Sequence, residues 1–311
     1  MRVFVTGGSG WIGRGLVPEL IAAGHTVTGL ARSDAAAQAL RGDGAAVLPG
    51  SLDDLDTLRD AAASSDGVVH LAFKHDIAFS GDFAGATAAD RAAIETFGEA
   101  LAGTGKPFVI ASGILGVLGL APGALATERD GLAAPAEDHR GPISGANGRL
   151  DNAHRVLAFA DRGIRSSVVR LPPATHGDGD NGFITTAIGF ARAKGAAAYV
   201  GDGANRWPSV HRDDAARLFR LALESAPAGS VLHAVGDEGV PIREVAETLA
   251  ARLNIPAVSV TPEQAGEYVG FLGGFWGIDG PASARITREL LGWQPTRPGL
   301  IADLKEGHYF G

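Results

Sequence analysis

An α/β fold, a doubly wound parallel sheet with a smaller C-terminal substrate lobe, is predicted by three features of this 311-residue sequence. Short β-branched runs alternate with helical patterns through the first half. A glycine-rich turn follows the first of those runs, and the alternation weakens after Pro172-Pro173. Such alternation lays parallel strands side by side and covers both faces of the sheet with helices.

Taken in order, residues 2–6 form the first strand, and Ile12, Leu16, Leu20 and Ile21 follow at helical spacing. Strands are predicted at 26–30, 46–48, 68–72 and 107–112, with helices at 35–40, 55–62 and 88–101 between them. The Gly-, Pro- and Ala-rich stretch 113–145 has no period and reads as a long loop over the cleft, with a weakly charged, apolar edge near 113–122. A helix at 149–161 and a strand at 166–171 resume the sheet. Residues 213–224 read as a helix returning to it, while Ile242, Val245, Leu249 and Leu253 mark an amphipathic helix of the lobe. The expected division is a dinucleotide-binding domain of residues 1–171, joined by 205–235, and a substrate lobe of 172–204 and 236–311.

Composition narrows the function. Hydrophobic residues make up 45% and charged residues 20%, enough apolar side chain for a sizeable core. The formal net charge of −8 offers no footprint for a polyanion, so nucleic acid is not an expected partner. With no cysteine, thiol catalysis and zinc–thiolate sites are excluded. No run of 18 uncharged apolar residues exists, and a strand starting at Arg2 leaves no room for a leader. The expectation is a cytoplasmic protein with no membrane partner and no metal; a homodimer is compatible with it.

The turn Thr6-Gly7-Gly8-Ser9-Gly10-Trp11-Ile12-Gly13 follows a strand and opens a helix. A dinucleotide's pyrophosphate must reach backbone N–H groups at a helix N-terminus. Side chains at Gly7 or Gly10 would obstruct it, and Gly13 allows close helix–strand packing. In this strand–turn–helix context the pattern reads as a Rossmann phosphate loop, with Trp11 and Ile12 among its contacts. About 20 residues further on, an acidic residue would accept a ribose 2′-OH. Ala31 holds that slot, with Arg32 and Ser33 after it. A carboxylate would repel a 2′-phosphate, whereas a guanidinium grips it through paired, charge-assisted bonds. NADP(H) is therefore the expected cofactor, with Arg14 as a second cation; the plainer alternative is that Arg32 is a solvated surface residue.

With these residues the sequence resembles the extended and atypical short-chain dehydrogenases/reductases, the group labelled NAD-dependent epimerase/dehydratase. Val69-His70-Leu71-Ala72 resembles the family's fourth-strand motif, and Ser51-Leu52-Asp53 its adenine-contacting turn, with Ser51 where the family has Asp. Arg170-Leu171-Pro172-Pro173 resembles the segment passing the nicotinamide. The stretches 207–214 and 289–295 resemble later family signatures. The resemblance implies that Leu52, Leu71, Ala72, Phe73 and Pro172 touch the cofactor. Ser112, at the end of the strand Phe108-Val109-Ile110-Ala111-Ser112, stands where the family's substrate-binding serine does.

One family feature is missing. The group's proton-transferring Tyr-x-x-x-Lys pair should fall near Gly145 and Arg149, yet none of Tyr199, Tyr268 and Tyr309 is followed by Lys four residues later. His75, in Lys74-His75-Asp76 after the fourth strand, is the first candidate for a replacement acid, with Asp76 to fix its charge; an exposed loop histidine is the equal alternative. Arg149 is a second polar candidate, too basic to donate a proton readily. His154, His176 and His211 stand in reserve. The reading is an NADPH-dependent carbonyl reductase acting on a small or medium, fairly apolar substrate. Its alternatives are a non-catalytic NADP(H)-binding regulator and a nucleotide-sugar epimerase or dehydratase.

Overall fold

The computed structural model describes residues 1–114, 123–132 and 145–310. Its strands in chain order are β1 (Arg2–Thr6), β2 (Thr26–Ala31), β3 (Ala46–Pro49), β4 (Gly67–His70), β5 (Pro107–Gly113) and β6 (Arg165–Leu171). Six shorter ones follow: β7 (Ala174–His176), β8 (Ala197–Val200), β9 (Arg206–His211), β10 (Ser230–His233), β11 (Asp237–Pro241) and β12 (Ala257–Val260). The central sheet has the order β10-β6-β5-β4-β1-β2-β3. Every pairing in it is parallel.

Alternating strand residues build the two layers. On one face Val3, Val5, Val109 and Val169 pack with residues of α1 (Gly13–Ala22) and α2 (Asp34–Gly42). On the other, Phe4, Phe108, Ile110 and Val168 meet α3 (Leu55–Ser64) and α5 (Phe83–Leu101), the latter preceded by the short α4 (His75–Phe79). The second layer also takes Val156 from α6 (Gly145–Ala158). Both faces are thus apolar, as buried parallel strands require. The order reverses between β1 and β4, where doubly wound sheets open a crevice at the strand ends.

Beyond β6 the chain leaves this sheet. α7 (Phe183–Lys194) and α9 (Ile242–Leu253) build a second core with Trp207, Trp276 and Leu304. α8 (Arg212–Ser225) returns against α1, burying Leu218, Phe219 and Leu223 in the first core, and β10 extends the sheet edge. Two stretches differ from the sequence-based division. β9, within 205–235, pairs with β7 and β11 in a small three-stranded sheet rather than joining the large one. Ala282, Ala284 and Trp293, within 236–311, pack into the first core. Neither placement has a local signal, since strand partners and packing faces are chosen across the fold. Most of the expected long loop, 115–122 and 133–144, lies outside the described residues, and with it nearly all of the apolar cleft edge expected at 113–122.

Candidate active site at the strand ends

A cleft of about 1130 Å³ runs along the C-terminal ends of β1, β2, β4, β5 and β6. Its floor is the glycine turn. Gly7 has φ +69°, and a Cβ there would lie 2.7 Å from the Ala72 nitrogen, so the turn crosses directly over the exit of β4. A Cβ on Gly13 would sit on the carbonyls of Gly7 and Gly8. Gly13 is therefore demanded by the turn's own backbone rather than by helix–strand packing. At Gly10 the contact would be 3.2 Å, again to the Gly7 carbonyl, a tight approach within the turn itself. No side chain caps the start of α1, and the Arg14 and Gly15 amides already donate to the Gly10 and Ile12 carbonyls; among the described residues the amides of Trp11, Ile12 and Gly13 have no acceptor.

Beneath the turn runs a buried polar chain. His70 Nδ1 lies 2.6 Å from Thr6 Oγ1 and its Nε2 lies 3.0 Å from Asp90 Oδ1. Asn152 Nδ2 donates to Asp90 Oδ2 at 2.7 Å. Burial works to raise the Asp90 pKa, but the His70 and Asn152 hydrogen bonds outweigh it and hold the carboxyl low. This chain ties β1, β4, α5 and α6 together under the cleft; the sequence reading quoted His70 within a motif and gave it no task.

At the end nearest β2 the cleft is lined by Arg32, Ser33 and Leu52 among others. Ser33 Oγ accepts from the Ala36 amide at 3.2 Å and caps α2, which leaves its own hydrogen to donate. Arg32 Nη1 donates to Asp76 Oδ2 at 3.0 Å, so Asp76 pairs with Arg32, while its charge also favours the protonated form of His75. Lys74 Nζ reaches both oxygens of Asp53 at 2.7 Å. These two pairs carry the start of α4 across the mouth. Arg14 is absent from the described lining.

The inner end gathers Leu71, Ala72, Phe73, Ser112, Arg149 and Pro172. Ser112 is only 6% exposed, and among the described residues no hydrogen bond engages its hydroxyl. Arg149 projects from α6, half-buried, with its guanidinium 4.4 Å above the Phe73 ring and Nη2 donating to the Ala111 carbonyl at 3.3 Å. Desolvation lowers its pKa, opposed by the charge of Asp90. His75 opens α4, its ring edge-on to Phe73 at 5.1 Å. The protein packed around it, and then the Arg149 charge, push the imidazole below its ordinary pKa.

Outward from Ser112 the wall is formed by Pro173, Thr175, Asn181, Phe183, Thr186 and Phe271. Phe183 packs against Phe275 at 5.1 Å and Phe271 at 6.1 Å, and Phe271 is 54% exposed. Sequence reasoning missed this aromatic wall, because no local pattern brings residues 183 and 271 together. The reserve histidines serve the scaffold. His154 Nε2 lies 2.7 Å from the Gly131 carbonyl, His176 is buried against Asp303 at 2.7 Å, and His211 caps α8 by accepting from the Asp213 amide.

Comparison with known proteins agrees with this geometry. The sequence model of the NAD dependent epimerase/dehydratase family matches residues 3–97. An uncharacterized Schizosaccharomyces pombe protein is 44% identical over 310 residues, covering 100% of both chains. The chain belongs to the NAD-dependent epimerase/dehydratase family. Within it, the 2'-dehydrokanamycin reductase of Streptomyces kanamyceticus is 31% identical over 274 residues, covering 86% of this chain and 71% of the reductase. The Streptomyces venezuelae dTDP-glucose 4,6-dehydratase DesIV, solved with NAD bound, superposes with a TM-score of 0.76 at 21% identity, covering 100% of this chain and 98% of DesIV. Among the described residues no helix is long and apolar enough to cross a membrane.

Proposed function

We propose that this family member is an NADPH-dependent carbonyl reductase. The observation that carries the reading is one continuous cleft, with the glycine turn and Arg32 at one end and, at the other, Ser112, whose hydroxyl has no hydrogen-bond partner among the described residues. The residues fit the cofactor: no Cβ obstructs the turn, the amides of Trp11, Ile12 and Gly13 have no acceptor among the described residues, and no acidic side chain ends β2. The Gly7–Gly13 turn, with Trp11 and Ile12, would hold the pyrophosphate, and Leu52 the adenine. Arg32 and Ser33 would take the 2′-phosphate, and Leu71, Ala72, Phe73 and Pro172 the nicotinamide half. When bound, the dinucleotide supplies the hydride.

The chain's own residues do the rest. Ser112 donates a hydrogen bond to the carbonyl oxygen and stabilises the charge that gathers there, a contribution worth about 10²–10³ in rate for one such donor. His75 delivers the proton in place of the absent tyrosine. The aromatic wall of Phe183 and Phe271 takes an apolar substrate body. The relationship to a reductase supports this reading.

The test is to follow NADPH absorbance with purified protein and a panel of aldehydes and ketones. Turnover on at least one member, with NADPH favoured over NADH, is expected. Tight NADPH binding with no turnover would favour the second reading, a non-catalytic NADP(H)-binding regulator, to which the lack of Tyr and Lys at 145 and 149 lends weight.

A further inference from the structure

Three lysine or arginine side chains line the cleft among the described residues: Arg32, Lys74 and Arg149. The first two are paired, with Asp76 and Asp53. Arg149 is different. Its nearest attractive charge is Asp90, whose oxygens are occupied by His70 and Asn152. Among the described residues no carboxylate pairs with its guanidinium, and the Ala111 carbonyl takes one of its five donors. A partly desolvated cation without a counter-ion is costly unless a ligand supplies one. The guanidinium carbon lies 4.4 Å over the Phe73 ring, and the contact with Ala111 places it one residue from Ser112 on β5.

The inner end therefore sets the Arg149 cation and the Ser112 hydroxyl against a wall in which Pro172, Pro173, Phe183 and Phe271 are apolar and Thr175, Asn181 and Thr186 polar. A neutral, wholly apolar carbonyl compound would satisfy the apolar side chains and leave Arg149 unmatched. We propose that the substrate is an oxo acid with an apolar substituent, its carboxylate bound by Arg149 and its keto oxygen by Ser112. This rests on the carbonyl-reductase reading and names the substrate class for it. The keto carbon would gain a hydride from the reduced nicotinamide dinucleotide as its C=O π bond breaks, and its oxygen would gain one proton. The products are the hydroxy acid and the oxidised dinucleotide, with the carboxylate unchanged. A guanidinium–carboxylate pair of this kind is worth roughly ten- to a hundredfold in affinity.

The experiment has a binding arm and a kinetic arm, both on the full chain. Calorimetric titration of the NADP⁺-saturated protein compares 4-phenylbutanoate with 4-phenylbutanamide, which share shape and differ in charge. The acid is expected to bind at least tenfold more tightly. Arg149→Met should erase the difference, Arg149→Lys should restore part of it, and the NADPH affinity of both variants serves as the control. In the kinetic arm, 2-oxo-4-phenylbutanoate should exceed its ethyl ester in kcat/KM by tenfold or more, and Arg149→Met should collapse that ratio toward unity. Equal binding of acid and amide by the unaltered protein overturns the proposal. So does an Arg149→Met variant that keeps the acid preference while losing NADPH, which would make Arg149 a cofactor residue. Charge-selective, Arg149-dependent binding without reduction of either keto compound sustains the carboxylate site and defeats the reductase reading instead.

Discussion

The two ends of the cleft are built on different plans. At the Arg32 end most lining residues come from the first 53 positions, and the cations there, Arg32 and Lys74, are paired with Asp76 and Asp53. At the inner end Ser112, Arg149, Pro172, Phe183 and Phe271 come from five separate segments, and the cation among them has no carboxylate partner within the described residues. On the proposed function, the contrast follows from what each end would recognise. A diphosphate is held by backbone amides, and one tight turn supplies them. A reacting carbonyl needs side chains that converge, and only the edge of a whole sheet brings them together.

The strongest way to break this contrast is to attack the turn. Gly13→Ala puts a methyl group against the carbonyls of Gly7 and Gly8, so the amide cradle must open. Losing two amide–phosphate bonds at about 1.5–3 kcal/mol each predicts an NADPH affinity lower by roughly a hundredfold or more, read by fluorescence titration. Wild-type affinity would mean that the cradle is not the anchor. At the other end, Ser112→Ala should cut kcat by about 10²-fold with NADPH affinity retained. A fall in NADPH affinity instead would merge the two ends into one cofactor site.

The pH profile probes the strap that joins them. His75 has its pKa lowered by the surrounding protein and by Arg149, so the protonated form is scarce at neutral pH. If it is the acid, reductive kcat/KM should fall about tenfold per unit as pH rises above that lowered pKa, and level off below it. The bend should therefore lie on the acid side of 6.5, the ordinary imidazole value. His75→Asn should remove this limb, and a limb surviving in the variant would transfer the role to another group.

How much of this was readable beforehand divides along the same line. The glycine turn and six of the seven strands of the large sheet are local in sequence, and alternation and spacing locate them; β10 at the sheet edge was not expected. Ser112 was found because it ends a strand. Arg149 was noticed only as the occupant of an empty slot; its contacts with Phe73 and the Ala111 carbonyl join positions 76 and 38 residues away. The Thr6–His70–Asp90–Asn152 chain joins positions 64, 20 and 62 residues apart, and neither it nor the Phe183–Phe271 contact is encoded by any period. The pairing of Asp76 with Arg32 escaped notice for a related reason. The sequence offers His75 as a neighbour, but the start of α4 turns the carboxylate toward β2.

That pairing sharpens the comparison with the smallest expected effects. Arg32→Ala should weaken NADPH binding about ten- to a hundredfold and spare NADH, because the lost bonds are those to the 2′-phosphate. Asp76 competes with that phosphate for the same guanidinium. Both side chains are more than half exposed, at 65% and 55%, so their mutual attraction is modest and screened by salt. Asp76→Asn should accordingly raise NADPH affinity only a few-fold, leave NADH affinity within twofold, and have its largest effect at low ionic strength. The asymmetry is the informative part. A gain for both cofactors would assign Asp76 to gating the mouth, and a loss for NADH alone would assign it to the ribose hydroxyl that an acidic residue at the end of β2 would otherwise hold.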